Sequence, residues 1–211
     1  MQIISLFSGS FCQAEEVAQQ VLERTGYRHV PDDLIVDRAS ELSGLAPDKL
    51  ARPFSARTSV FKTFTGERER SIAHLRYAVA EQLLDDSLLI DGFCSQLAPR
   101  SISHVLRVCL IADMPSRVGR AAVEGGVKAT EAAKTIHKLD EQKAAWVLAV
   151  KGSADPWDAE LYDVLIPTDK SGLNNAVGLV IQNLANDVVQ PTPASEQAAQ
   201  DFLVAARTER A

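Results

Sequence analysis

Gln2-Ile3-Ile4-Ser5-Leu6-Phe7-Ser8-Gly9-Ser10-Phe11-Cys12-Gln13-Ala14-Glu15-Glu16 is the stretch on which the fold turns. Gln2 to Phe7 is a short, Ile-rich apolar run with the length of a buried strand. From Gln13 to Thr25, Val17, Val21 and Leu22 recur at helical spacing. Between the two, Ser8-Gly9-Ser10 stands where a phosphate-binding loop sits in a strand-loop-helix unit. Such a loop needs glycine, so that backbone N–H groups can close around phosphate, and a lysine to meet the β and γ charges. Here one glycine remains and no lysine follows; Cys12 or Gln13 falls near its place, and Glu15 and Glu16 disfavour an anion at the helix start. Ser8, Gly9, Ser10, Cys12 and Gln13 are candidates to cradle a phosphate, or they form a tight turn with Cys12 as a packing residue. A helix N-terminus lowers a thiol pKa, but no basic residue lies near Cys12 in sequence to make it a nucleophile.

Outward from this stretch, Gly26 is placed to cap the first helix, Tyr27 to Val30 reads as extended, and Pro31-Asp32-Asp33 starts a helix reaching about Ser43. Residues 44 to 65, broken by Pro47 and Pro53, read as irregular. Gly66 to Leu84 reads as a long helix, Ser87 to Ile90 as a second buried strand ending at Asp91-Gly92, and Val105 to Ala112 as a third. Pro115 opens a helix carrying Arg117 and Arg120, Gly125-Gly126 breaks it, and Ala129 to Val150 forms another. Leu161 to Ile166 is the last expected strand and Leu173 to Asn186 the helix after it. Strands alternating with helices imply parallel βαβ units, an α/β fold with the sheet covered on both faces, and a ligand site at the carboxyl ends of the strands. That places the site near Ser8 to Cys12, Asp91 to Cys94 and Asp113.

The chain has 211 residues and is 46% hydrophobic, enough for one large domain with a real core. A net charge of -6 gives no general field for nucleic acid or an anionic membrane, so neither is expected as a partner. Three scattered cysteines, without a C-x-x-C pair, fit a reduced interior and argue against a disulfide framework or structural zinc. His29, His74, His104 and His137 lack metal-binding spacing, and no G-x-S-x-G frame for a hydrolase serine appears. The opening apolar run is too short for a membrane span and lacks a signal peptide's flanks, which leaves the cytoplasm as the expected compartment.

The order strand, Ser-Gly-Ser loop, helix and Gly26-Tyr27, followed by Val105-Leu106-Arg107-Val108, resembles the bacterial cytidylate kinase-like family of nucleoside monophosphate kinases. The resemblance continues through Arg117-x-x-Arg120, Lys138-x-Asp140-x-x-Lys143 and Leu161-Tyr162-Asp163-x-x-Ile166-Pro167-Thr168, and spans about residues 1–187. It implies a three-layer P-loop NTPase fold with a five-stranded parallel sheet, a segment over the monophosphate and an Arg-rich lid over ATP. It also implies ATP and Mg as cofactors and CMP or a related nucleotide as acceptor. Catalytic charge would come from Arg117, Lys138 and Lys143, and acceptor contacts from Asp33, Arg57, Arg70, Asp91 and Arg120, with Arg68 beside them. Beyond this stretch, 188–193 reads as a linker and 194–211 as a helical tail leading to a further, regulatory domain.

The chain departs from that pattern in four places. The loop lacks its lysine, Gly92 is followed by Phe93 rather than Arg, Pro31 stands where the family tends to place an Asp, and the lid pairs Lys138 and Lys143 around Asp140 instead of two arginines. Phosphoryl transfer is mostly positioning and charge stabilisation, and one missing stabiliser costs about 10²–10³ in rate. The expected function is therefore a degenerate kinase-like domain that binds a nucleotide or a partner with little phosphotransfer. Two alternatives stay open. One is an active CMP-type kinase in which those cations replace the missing ones, and the other is a structural domain whose old pocket is filled by Phe11 and Phe93.

Overall fold

A computed structural model describes residues 2–55 and 65–210. The strands are β1 (Ile3–Ser8), β2 (Arg28–Pro31), β3 (Leu88–Asp91), β4 (Val105–Ile111) and β5 (Val164–Pro167). They form a sheet in the order β2-β3-β1-β4-β5, in which every pairing is parallel. Central position explains the sequence of β1: with neighbours on both edges and helices on both faces, a strand reads as a continuous apolar run rather than an alternating one.

The helices are α1 (Ala14–Thr25), α2 (Asp32–Ser43), α3 (Pro47–Ala51), α4 (Thr65–Gln82), α5 (Met114–Gly125), α6 (Ala129–Lys151), α7 (Thr168–Leu184) and α8 (Pro193–Glu209). Side chains of a strand alternate between faces, and here the alternation builds two cores. Ile3, Phe7, Leu88, Ile90, Val105 and Cys109 pack with α2, α3, α4, α6 and α8. Ile4, Leu6, Leu89, Leu106, Val108 and Leu110 pack with α1 and α7.

The α/β class, the parallel sheet and its five strands agree with the expectation. The last strand is shorter than the sequence suggests, because Asp158 accepts a hydrogen bond from the Glu160 N–H at 2.9 Å and caps a 3-10 turn over Ala159–Leu161. The helix after it begins at Thr168 but is broken at Gly172 (φ 70°, ψ 164°), so its regular part starts where the apolar pattern places it.

Residues 188–193 are not free chain. Val189 is buried, a Thr192/Ser195 capping box starts α8, and Ser195 Oγ lies 2.8 Å from His104 Nδ1. Further along, α8 is held against α4 by Glu209, which accepts from Arg76 at 2.7 and 3.0 Å, and by the Arg210 guanidinium 4.0 Å from the Tyr77 ring centre. Among the described residues no helix is long and apolar enough to cross a membrane.

Two predictions test this architecture. Gly92 follows β3 at φ 103°, and a Cβ there would stand 2.6 Å from Asp32 Cγ. Gly92→Ala is expected to cost about 1–3 kcal/mol or more in urea unfolding. Lys151, which donates to the Ala98 carbonyl at 3.0 Å, has its pKa pushed down to about 8 from 10.5 by burial and then by Arg107, Arg76 and Arg100. Between those values the unfolded chain holds more protons on this group than the folded one, so its contribution to stability rises with pH. The stability difference between wild type and Lys151→Met is expected to shift in favour of wild type as pH rises across that window.

Candidate functional site

The carboxyl ends of β1, β3 and β4 open onto one crevice, the position where parallel α/β sheets bind ligands. The loop from Ser8 to Gln13 leaves β1 through a Gly9 N–H donated to the Leu110 carbonyl at 2.8 Å. Phe11 (φ 61°) and Gln13 (φ 59°, ψ 29°) then take left-handed backbone, which non-glycine residues adopt uncommonly. Left-handed residues beside helical ones turn successive N–H groups toward a common point, a geometry that receives anions. Among the described residues, no protein acceptor takes the N–H groups of Ser10, Phe11, Cys12 or Gln13.

Arg117, one turn into α5 and 6% exposed, closes over this loop. Its Nε donates to the Ser10 carbonyl at 2.8 Å, while Nη1 and Nη2 grip Asp140 of α6 at 2.9 and 2.6 Å. A Cβ on Gly9 would sit 2.8 Å from Cys12 Sγ and 3.6 Å from Arg117 Cζ, so the glycine makes room for both. Cys12 is thus a packed thiol: burial, only partly offset by Arg117, pushes its pKa up to about 11. Phe11 packs with Met114, Val118 and Ala122 of α5 against Ala132 and Ile136 of α6. Glu16, read from sequence as hostile to anions, is paired with Arg120 Nη1 at 2.6 Å, and Arg120 also reaches Glu124 at 3.4 Å.

Lys143, further along α6, enters the crevice from above. Its amine lies 5.2 Å from the Phe7 ring centre and 5.1 Å from that of Phe93, within cation–π range. Burial lowers its pKa, against the pull of Asp32, Asp140 and Asp91. Asp32 opens α2 and accepts the N–H groups of Phe93 and Cys94 at 2.8 and 2.7 Å, tying α2 to the turn after β3. Burial raises the pKa of Asp32, and also that of Asp91, whose carboxylate stands 3.6 Å from His29 Nε2. Beneath these groups Phe54, Phe93 and Trp146 stack or meet edge-on, and Phe7 adjoins Trp157 and Tyr162.

The structure therefore gathers Ser8, Gly9, Ser10, Cys12, Gln13, Arg117, Lys143 and Asp91 around one crevice, with Arg120 at its rim. Lys138 is exposed, on the side of α6 away from buried Ile136, and Arg70 and Asp33 are exposed as well. Arg57 lies outside the described residues. Two carboxylates beside the crevice had no role assigned from sequence. Asp32, rather than Asp33, faces the crevice; the parallel register Pro31↔Asp91 is the signal, since it puts the residue after Pro31 beside the end of β3. Asp140 was visible only as the middle of a lid motif. Arg68 donates to the Ala145 carbonyl of α6 at 3.0 Å and keeps a buried, unpaired Nε.

A resident metal does not fit this donor set. Asp32 is spent on two backbone N–H groups, and among the described residues no three His, Cys, Asp or Glu side chains converge.

Comparison with protein families matches residues 3–170 to the cytidylate kinase-like family. The chain belongs to this family. Among solved structures, an uncharacterized protein from Eubacterium ventriosum is similar in fold, with a TM-score of 0.63 at 15% identity over 87% of this chain and 97% of that one. Comparison with curated proteins gives no match. Arg117 and Lys143, the two cations beside the loop, are both delivered by the α5–α6 pair.

If Gly9 is glycine because sulfur and guanidinium occupy its Cβ position, Gly9→Ala is expected to lose about 1–3 kcal/mol by overpacking. Adding Cys12→Ala should return a large part of that loss, measured as a coupling energy in a denaturation double-mutant cycle.

Proposed function

We propose that this member of the cytidylate kinase-like family is a nucleotide-binding regulatory domain of P-loop type with little phosphoryl transfer. The observation that carries the reading is the commitment of Arg117. Its Nε is given to the Ser10 carbonyl and its two terminal nitrogens to Asp140. A stabiliser of developing charge must be unspent in the ground state and aimed at the reacting oxygens. Arg117 instead neutralises a protein carboxylate. Binding asks for less, because unpaired N–H groups ahead of a helix hold phosphate without a side-chain cation. The loop offers those groups, and its strand order and position support the P-loop reading.

A second reading, an active CMP-type kinase moving the ATP γ-phosphoryl group, is favoured by Lys143. Among the described residues no carboxylate lies within 4.0 Å of its amine, so its charge is free to meet a phosphate. Magnesium in either case arrives with the nucleotide as part of the substrate.

Calorimetry with MgATP, with CMP and with both, beside a coupled ADP-release assay, separates these readings. Binding of MgATP with a Kd of about 0.1–1 mM and no turnover above background is expected. Asp140→Asn, which releases the Arg117 fork, should tighten phosphate binding several-fold. Turnover that Arg117→Ala abolishes would overturn the regulatory reading in favour of the kinase, and failure to bind any nucleotide would leave a structural domain.

A further inference from the structure

About two turns of α6 beyond Lys143, and so away from the nucleotide crevice, Lys151 ends the helix. It lines a cavity of about 230 Å³ enclosed by α4, α6, α8 and the chain leading into β4. Arg76 of α4, Gln96 and Glu209 of α8 join Lys151 in its polar lining, and the rest of the wall is apolar.

A half-buried ammonium calls for partners to its charge and to its three donors. Lys151 has one neutral acceptor: its Nζ donates to the Ala98 carbonyl at 3.0 Å, and among the described residues it has no other hydrogen bond and no carboxylate within 4.0 Å. Burial, and then the charges of Arg107, Arg76 and Arg100, push its pKa down to about 8. At a pH of about 7.5 roughly a quarter of such an amine is neutral, against about one part in a thousand for an ordinary lysine. Asp163 offsets Arg100 and Arg107 only in part, standing 3.7 and 3.5 Å from them. The carboxylate that lines the cavity, Glu209, is spent on Arg76, whose Nη1 holds both its oxygens at 3.0 and 2.7 Å. Nη2 and Nε of Arg76 have no acceptor among the described residues and, unlike Nε of Arg107, are not buried orphans, which leaves them to the cavity that Arg76 lines.

From this geometry we infer a covalent modification site, separate from the nucleotide crevice, at which Lys151 Nζ takes up CO2 as a carbamate whose carboxylate is held in the cavity by Arg76. The neutral amine attacks the carbon of CO2. A C–N bond forms as one C–O π bond opens onto oxygen, and one Nζ proton leaves to water, so the step needs no oxidant, reductant or leaving group. The N–H that remains keeps the Ala98 carbonyl as its acceptor. Because the product is negative where the ammonium was positive, the arginine field that disfavours the ammonium favours the carbamate. A carboxylate beside a guanidinium makes charge-assisted hydrogen bonds, and Nη2 and Nε of Arg76 are the donors at hand. The cavity admits CO2, and it is below the range of about 300–1,000 Å³ usual for drug-sized ligands, which excludes a nucleotide.

Carbon-13 NMR of the full chain with ¹³C-bicarbonate in equilibrium with CO2, at a pH of about 7.5, tests the inference, together with trapping by a trialkyloxonium salt and peptide mass spectrometry. A carbamate carbonyl signal is expected, half-saturated at dissolved CO2 on the order of 1–10 mM, with the trapped adduct on Lys151. Lys151→Arg, which keeps a positive charge but has no amine to react, should lose that signal. Arg76→Gln should raise the half-saturating concentration about tenfold. Glu209→Gln, which removes the carboxylate lining the cavity, should lower it several-fold. Both variants break the same ion pair, so a loss of α8 packing alone would move them in the same direction. Adducts confined to the α-amine or to other lysines, a signal that survives Lys151→Arg, or a shift of the same sign in Arg76→Gln and Glu209→Gln would overturn the site.

Discussion

The guanidinium of Arg117 joins three pieces of chain that are far apart in sequence: the loop after β1 through the Ser10 carbonyl, α5 through its own backbone, and α6 through Asp140. A bidentate arginine-carboxylate pair with a third hydrogen bond is among the more directional contacts available to a protein. Since the arginine is buried, removing its partner would strand a charge in a poorly solvated place. The positions of Gly9, Cys12 and Phe11 all follow from it. Gly9 yields its side-chain volume, Cys12 fills the space beside the fork, and Phe11 packs into the helix pair that carries the arginine.

The loop after β1 is in this way an internal joint. Helices α5 and α6 bring Arg117 and Lys143 beside it, and of the two only Arg117 is paired with a carboxylate within 4.0 Å among the described residues. Asp140 neutralises Arg117, whereas burial lowers the pKa of Lys143 and Asp32, Asp140 and Asp91 offset only part of that. The two cations differ in kind. Arg117 is fixed by planar hydrogen bonding, whereas Lys143 rests its compact charge on the faces of Phe7 and Phe93.

The fold was legible because it rests on local patterns: a buried apolar strand, glycine caps at Gly26 and Gly126, and helical periodicity in between. The site was legible where strand ends name it, as at Ser8 to Gln13 and Asp91. It was illegible where it depends on which way a helix faces. Lys138 and Lys143 share α6 and look equivalent in a lid motif, yet five residues of helical rotation send one to solvent and the other into the crevice. Likewise Asp32 and Asp33 are neighbours, and only pairing of β2 with β3 decides between them. The apparent repulsion by Glu16 disappears for the same reason, because Arg120 arrives from a helix whose position the local sequence does not specify.

The aromatic layer under Lys143 has an optical consequence. The chain contains two tryptophans, and both lie in this layer: Trp146 donates its indole N–H to the Phe93 carbonyl at 2.8 Å, and Trp157 stands 5.9 Å from the Phe7 ring. The chain's whole indole emission therefore originates next to the crevice, and changes in ammonium charge or ring packing there will colour the intrinsic fluorescence without any attached dye.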